Sequence, residues 1–144
     1  MIENIYSKIQ PGVLLHSTFR LKALEDDSIK RVDITDPEHF LQCAIMKLED
    51  EKTYDAHKHK VKPQIITNFQ VQETFIVLVG KILIEIYDLD NSTLEKVILN
   101  AGDLAILLAG GHSLSALNTG TVIYEIKTGP YKGQALDKEF IQVL

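Results

Sequence analysis

An all-β domain, built as a sandwich or barrel, is the fold class this sequence predicts, on three observations. Beyond residue 40 the apolar runs are short, and they are rich in Ile and Val. Turn chemistry separates them at brief intervals, too closely spaced for a βαβ fold. Residues 73–79 and 81–87 read as two strands around Gly80, and 88–93 is a turn cluster whose Asp and Asn side chains bond their own backbone. Residues 94–99 return as the partner of that hairpin, 100–103 turn again, and 104–108 form another strand. Gly110 and Gly111 make a tight corner ahead of His112, and 121–127 is the last clear strand. Toward the N-terminus, 13–15 and 19–21 read as two strands with a loop at 24–28, and Asp36 with Pro37 as a turn or short helical start. The tail from Gln134 ends as a helical turn or edge strand.

The 144 residues make one domain, with N-terminal strands and turns over 1–39, a core over 40–128 and a tail over 129–144. The composition, 45% hydrophobic and 24% charged, is that of an ordinary globular chain. No run approaches the roughly 20 apolar residues of a membrane helix, so no membrane partner is expected. The first residues lack the basic start and apolar run of a signal peptide, which sets the expectation of a cytoplasmic protein. A net charge of −5 with two arginines, Arg20 and Arg31, argues against nucleic acid as a partner. A single cysteine, Cys43, excludes an internal disulfide and reads as a small buried hydrophobe.

The chemistry lies in histidines and one glutamate. In an extended strand, residues i and i+2 share a face, so His57 and His59 present two imidazoles together with Lys58 turned away. Glu73 heads an apolar strand, where a carboxylate is costly unless paired or bound to a metal. His112 completes a set of three imidazoles and a carboxylate that suits a divalent transition metal: iron, manganese, nickel or zinc. The bland alternative is a polar loop rich in lysine and histidine, with Glu73 at a solvated edge. His16 and His39 read as surface or capping residues. Lys58, Lys60 and Lys62 are explained by a solvated loop, yet they also favour an anionic ligand near the histidines, with Lys60 and Lys62 as candidate substrate contacts. Tyr124 and Glu125 alternate on a strand, so one faces inward; Tyr124 is the candidate proton donor and Tyr87 a further substrate contact. Asp103, after Gly102, fixes its turn through backbone bonds.

These residues resemble the cupin superfamily, whose fold is a jelly-roll barrel, a double-stranded β-helix of the RmlC-like type, with a ligand site inside. Glu73, six further residues and Gly80 match the end of its first motif, and His57 with His59 match the opening. Gly102 with Asp103, and Gly110 and Gly111 before His112, match the second. The resemblance implies metal ligation by His57, His59, Glu73 and His112. Two departures stand out: residues 60–72 intervene between the second histidine and Glu73, which questions which of His57 and His59 ligates, and Leu108 stands where proline is common. Glu125, Lys127, Gly129, Pro130 and Tyr131, followed by Asp137 and Lys138, resemble the end of WbuC-type cupins, associated with bacterial surface-polysaccharide clusters. Together the matches span roughly residues 54 to 140.

Three functions follow as expectations. The first is a metal-dependent protein acting on or binding a small, anionic or carbohydrate-derived metabolite in surface-polysaccharide metabolism. The second is a metal-independent sugar-nucleotide isomerase or epimerase with a histidine base, weakened by the lack of arginine after Arg31. The third is a small-molecule binding module without turnover. Exposed edges of a small jelly roll are often covered by a second copy of the chain, so a homodimer is expected, with the N-terminal strands as its natural contact.

Overall fold

The structure, a computed structural model, describes residues 2–24, 31–36, 38–46, 56, 58, 70–129 and 133–141. Its strands are β1 (Ile2–Tyr6), β2 (Leu14–Phe19), β3 (Arg31–Asp33), β4 (Ala44–Met46), β5 (Glu73–Val79), β6 (Lys81–Tyr87), β7 (Thr93–Asn100), β8 (Leu104–Leu107), β9 (Gly111–Ala116) and β10 (Val122–Lys127). Leu21–Leu24 is a single 3-10 turn, and Gln134–Asp137 is one helical turn, α1. The all-β class therefore holds.

The strands pair antiparallel as a five-stranded sheet ordered β1-β2-β8-β5-β10, a three-stranded sheet β7-β6-β9, and the two-stranded ladder β3-β4. They do not close into a barrel among the described residues. Strand alternation sends Phe75, Val77, Ala105 and Leu107 from one face of the large sheet against Ile82, Ile84, Ile86, Val97 and Leu99 of the small one. The opposite face supplies Phe19, Leu104, Ile106 and Leu108, covered by Ile34 and by Val32, Cys43 and Ile45 around the β3-β4 ladder. Cys43 is thus apolar filling, and burial pushes its thiol pKa up.

Strands β5 and β6 fall where the sequence places them, joined at Gly80, whose φ of +81° suits glycine. At the N-terminus the expectation is corrected. Residues 14–19 form one continuous strand, with a 3-10 turn after it, because His16, Ser17 and Thr18 are all buried within the sheet and leave no apolar alternation to read. Strand β1, half-exposed along its length, adds an edge beside it.

Two buried aspartates lock the turns. Asp88, 1% exposed, accepts from Ser7 Oγ at 2.6 Å and from the backbone amides of Lys8 and Leu89, fastening the N-terminal loop to the β6-β7 turn. Asp103 accepts from the amides of Asn100 and Leu21 at 3.0 and 3.1 Å and pairs with Arg20 at 3.2 Å. Asp103 therefore fixes its own turn, as its place after Gly102 predicts, and also ties that turn to the end of β2. Asp103→Ala leaves the amides of Asn100 and Leu21 without their acceptor and removes one of the partners of Arg20, a loss of about 1–3 kcal/mol. Urea unfolding should show this as a lower midpoint with an unchanged slope.

Candidate functional site

Register builds the site. Across the large sheet, His16 of β2 lies opposite Leu107 of β8, Leu107 opposite Glu73 of β5, and Glu73 opposite Lys127 of β10. Directly opposed residues share a face, so this rung carries three polar side chains into the space between the sheets. From the facing sheet, β9 brings His112 onto Glu73, with His112 Nε2 at 3.2 Å from Glu73 Oε2. The edge of Phe75 steadies the imidazole, the ring centroids being 5.6 Å apart at 61°.

Two glycines set the approach of β9. Gly110 has φ +74°, and a Cβ there would sit 2.6 Å from the Tyr87 carbonyl oxygen. At Gly111 a Cβ would lie 2.3 Å from Ile141 Cδ1, so the missing side chain is the seat of the C-terminal segment. That segment, residues 133–141, runs along a cavity of about 1040 Å³ whose lining includes Glu73, Phe75 and His112.

Glu73 is 4% exposed. Its pKa is held below the ordinary carboxyl value, first by the His112 imidazole and then by the charges of Lys138 and Lys127, against the upward push of burial. The imidazole stands in ion-pair contact, and among the described residues Glu73 Oε2 has no geometrically formed hydrogen bond. Lys127 Nζ stands 3.8 Å from Glu73 Oε1 and 3.2 Å from Asp137 Oδ2. Burial works against its ammonium, yet Asp137, Glu125 and Glu73 together raise its pKa. Among the described lining residues the carboxylates of Glu73, Glu125, Asp137 and Glu139 face one ammonium, Lys138, and the His112 ring. Counting Lys127 beside Glu73 and Asp137, the described surroundings still carry an excess of carboxylates, which offer acceptors to hydroxyl groups.

The sequence-predicted residues divide accordingly. Glu73 and His112 come together. His57, His59, Lys60 and Lys62 lie outside the described residues, while Lys58 is described and exposed. Tyr87 lines the cavity, but its hydroxyl donates to Glu85 Oε2 at 3.0 Å, while Lys96 binds the other oxygen of that carboxylate. Tyr124 is 59% exposed on the outer face, and Glu125, opposite Phe75, is the member of that pair that lines the cavity. The position expected for a proton donor is therefore held by a carboxylate. Among the described residues no group of three or more His, Cys, Asp or Glu side chains is placed to hold a metal ion.

His16 corrects the surface assignment. It is 1% exposed, and among the described residues neither ring nitrogen has a geometrically formed hydrogen bond. Sequence reading missed it because His16 has no patterned neighbour. Lys127, Asp137 and Lys138 were visible as parts of a tail motif, but nothing in the sequence attached them to Glu73.

Comparison with family models, curated proteins and solved structures finds no match to this chain.

Burial, and then the charge of His112, lower the pKa of His16 from 6.5 to about 3, against a smaller upward pull from the Gly111 backbone. The unfolded chain takes up this proton below about pH 6.5, and the folded chain does not until about pH 3. The stabilisation is therefore complete above pH 6.5 and is lost as pH falls through that window, at about 1.4 kcal/mol per pH unit. The depressed Glu73 carboxyl acts only at lower pH, from its unfolded value of 4.5 downward. Denaturation measured from pH 6.5 to 5 should show the histidine slope in the wild type and lose most of it in His16→Leu; equal slopes would place the acid sensitivity elsewhere.

Proposed function

We propose that this chain is a metal-binding cupin whose cavity takes a small carbohydrate-derived metabolite, in surface-polysaccharide metabolism as the sequence resemblance implies. One observation supports the reading: Glu73 Oε2 and His112 Nε2, 3.2 Å apart, face each other in a cavity, and among the described residues the oxygen is buried without a hydrogen-bond partner. Oxygen and nitrogen donors bind divalent transition metals at about 2.0–2.2 Å, so two of them on adjacent corners of a polyhedron stand about 3 Å apart. The pair fits one edge of such a site. The remaining donors in this reading are His57, His59 or both, which the resemblance supplies. Two facing antiparallel sheets with a cavity between them support the jelly-roll architecture.

A bound metal ion with open positions would supply Lewis acidity toward a ligand oxygen. This chain's residues do the rest. Glu73 and His112 would hold the ion, Phe75 packs against the imidazole, and Glu125 and Glu139 would accept hydrogen bonds from ligand hydroxyls. Lys138 offers one cationic contact for a carboxylate or phosphate on the metabolite.

A second reading rests on the same pair. A histidine beside a carboxylate is a general base held in orientation, the arrangement that a metal-independent sugar-nucleotide isomerase or epimerase needs. A second copy of the chain belongs to either reading, since β10 leaves Val122, Tyr124 and Ile126 exposed as apolar cover for it. Light scattering should then give about twice the 16.2 kDa chain mass.

Elemental analysis of tag-free protein separates the readings. Near-stoichiometric metal is expected, with affinity reduced about tenfold or more in Glu73→Ala and His112→Ala. His57→Ala and His59→Ala identify the upstream ligand. No uptake after incubation with iron, manganese, nickel and zinc would discard the metal and leave the histidine base, to be tested by nucleotide-sugar binding.

A further inference from the structure

We propose that Lys127, paired with Asp137, is the positioning residue that turns the Glu73 carboxylate toward His112, and that it thereby ties the C-terminal segment to the metal site. The inference rests on the metal-binding reading above and adds to it a residue that the ligand set does not contain.

Glu73 has two oxygens, and the structure gives them different neighbours: Oε2 faces His112 at 3.2 Å and Oε1 faces Lys127 at 3.8 Å. The second contact is set by the backbone, because Lys127 is the residue directly opposite Glu73 in the β5-β10 register. Asp137 holds the same ammonium at 3.2 Å, and the side chains of Lys127, Asp137 and Glu73 are 19%, 9% and 6% exposed. Attractions among groups so far removed from water escape most of the screening that makes surface pairs weak. With Oε1 turned to a cation, one oxygen is offered to an ion beside His112. Without Lys127, Oε1 of Glu73 would lose the contact that holds it away from His112.

The segment depends on the same lysine. Helix α1 is a single turn with no buried residue and no side-chain cap, and Leu136 and Phe140 are 81% and 74% exposed. Among the described residues it is joined to the domain by the Asp137–Lys127 pair, by Ile141 against Gly111 and by the charge of Lys138 near Glu73. Loss of the pair therefore loosens residues 133–141 along the cavity wall, and Lys138 leaves Glu73 with them.

Co2+ binding to the full chain, followed by visible absorption, tests the assignment beside wild type, Lys127→Met, Lys127→Arg, Asp137→Asn and Glu73→Ala. Lys127→Met is expected to raise the Co2+ Kd about 10–100-fold and to change the absorption band, with Lys127→Arg restoring both. Hydrogen exchange of residues 133–141 in metal-free protein should quicken in Lys127→Met and Asp137→Asn. Far-UV circular dichroism confirms that each variant is folded. Wild-type affinity and spectrum in Lys127→Met, with binding lost in Glu73→Ala, would overturn the role of Lys127 and leave the metal site standing. No Co2+ uptake by the wild type would sink the metal reading and this role with it, while unchanged exchange in both variants would refute the tie to the C-terminal segment.

Discussion

Burying a carboxylate between two sheets is the constraint around which this interior is arranged. An unpaired ionised group taken out of water costs several kcal/mol even after relaxation, and Glu73 is 4% exposed. Its charge is met from three directions: His112 from the facing sheet, Lys127 from the neighbouring strand, and Lys138 from the C-terminal segment. None of these is adjacent to Glu73 in sequence. Each arrives through a separate backbone device, namely the glycine corner before β9, the β5-β10 register, and the seat of Ile141 on Gly111.

What holds those devices in place is the apolar framework on both sides of the large sheet. Strand β8 shows the economy of the arrangement, since Ala105 and Leu107 serve one cluster while Leu104 and Ile106 serve the other. All four are buried, as in a strand covered on both faces. Each large side chain so buried contributes about 1.5–3 kcal/mol, which together is ample to offset one imperfectly solvated rung. The polar rung lies at the edge of the apolar cluster and shares Leu107 with it. Glu73 therefore sits at the rim of the core, where the cavity opens, and not at its centre.

This layout explains what the sequence discloses and what it conceals. Strands with one alternating apolar face and a turn at each end, such as β5 and β6, are legible because pattern and punctuation agree. Strand β2 is not, because His16, Ser17 and Thr18 are polar and yet buried, so its burial comes from position in the sheet and not from composition. Glu73 and His112 were legible by chemical type. The partners of Glu73 were not, because register decides which cation lies opposite a carboxylate and no local pattern encodes it. Tyr124 and Glu125 make the same point, for alternation requires one of them to face inward, and only the pairing of Glu125 with Phe75 says which.

The least satisfied of the described side chains gather on one rung. Four buried side-chain polar atoms lack a hydrogen-bond partner among the described residues, and three of them belong to His16 and Glu73, on a single rung. Such atoms are few in folded proteins, and each costs about 1–3 kcal/mol relative to a paired one. A rung kept for stability alone would be cheaper if it were apolar, as its central member Leu107 is. Retaining an imidazole and a carboxylate on either side of that leucine makes sense where a polar partner completes them, which is how binding sites differ from cores. The deficit on this rung is therefore the observation on which the proposed cation site rests.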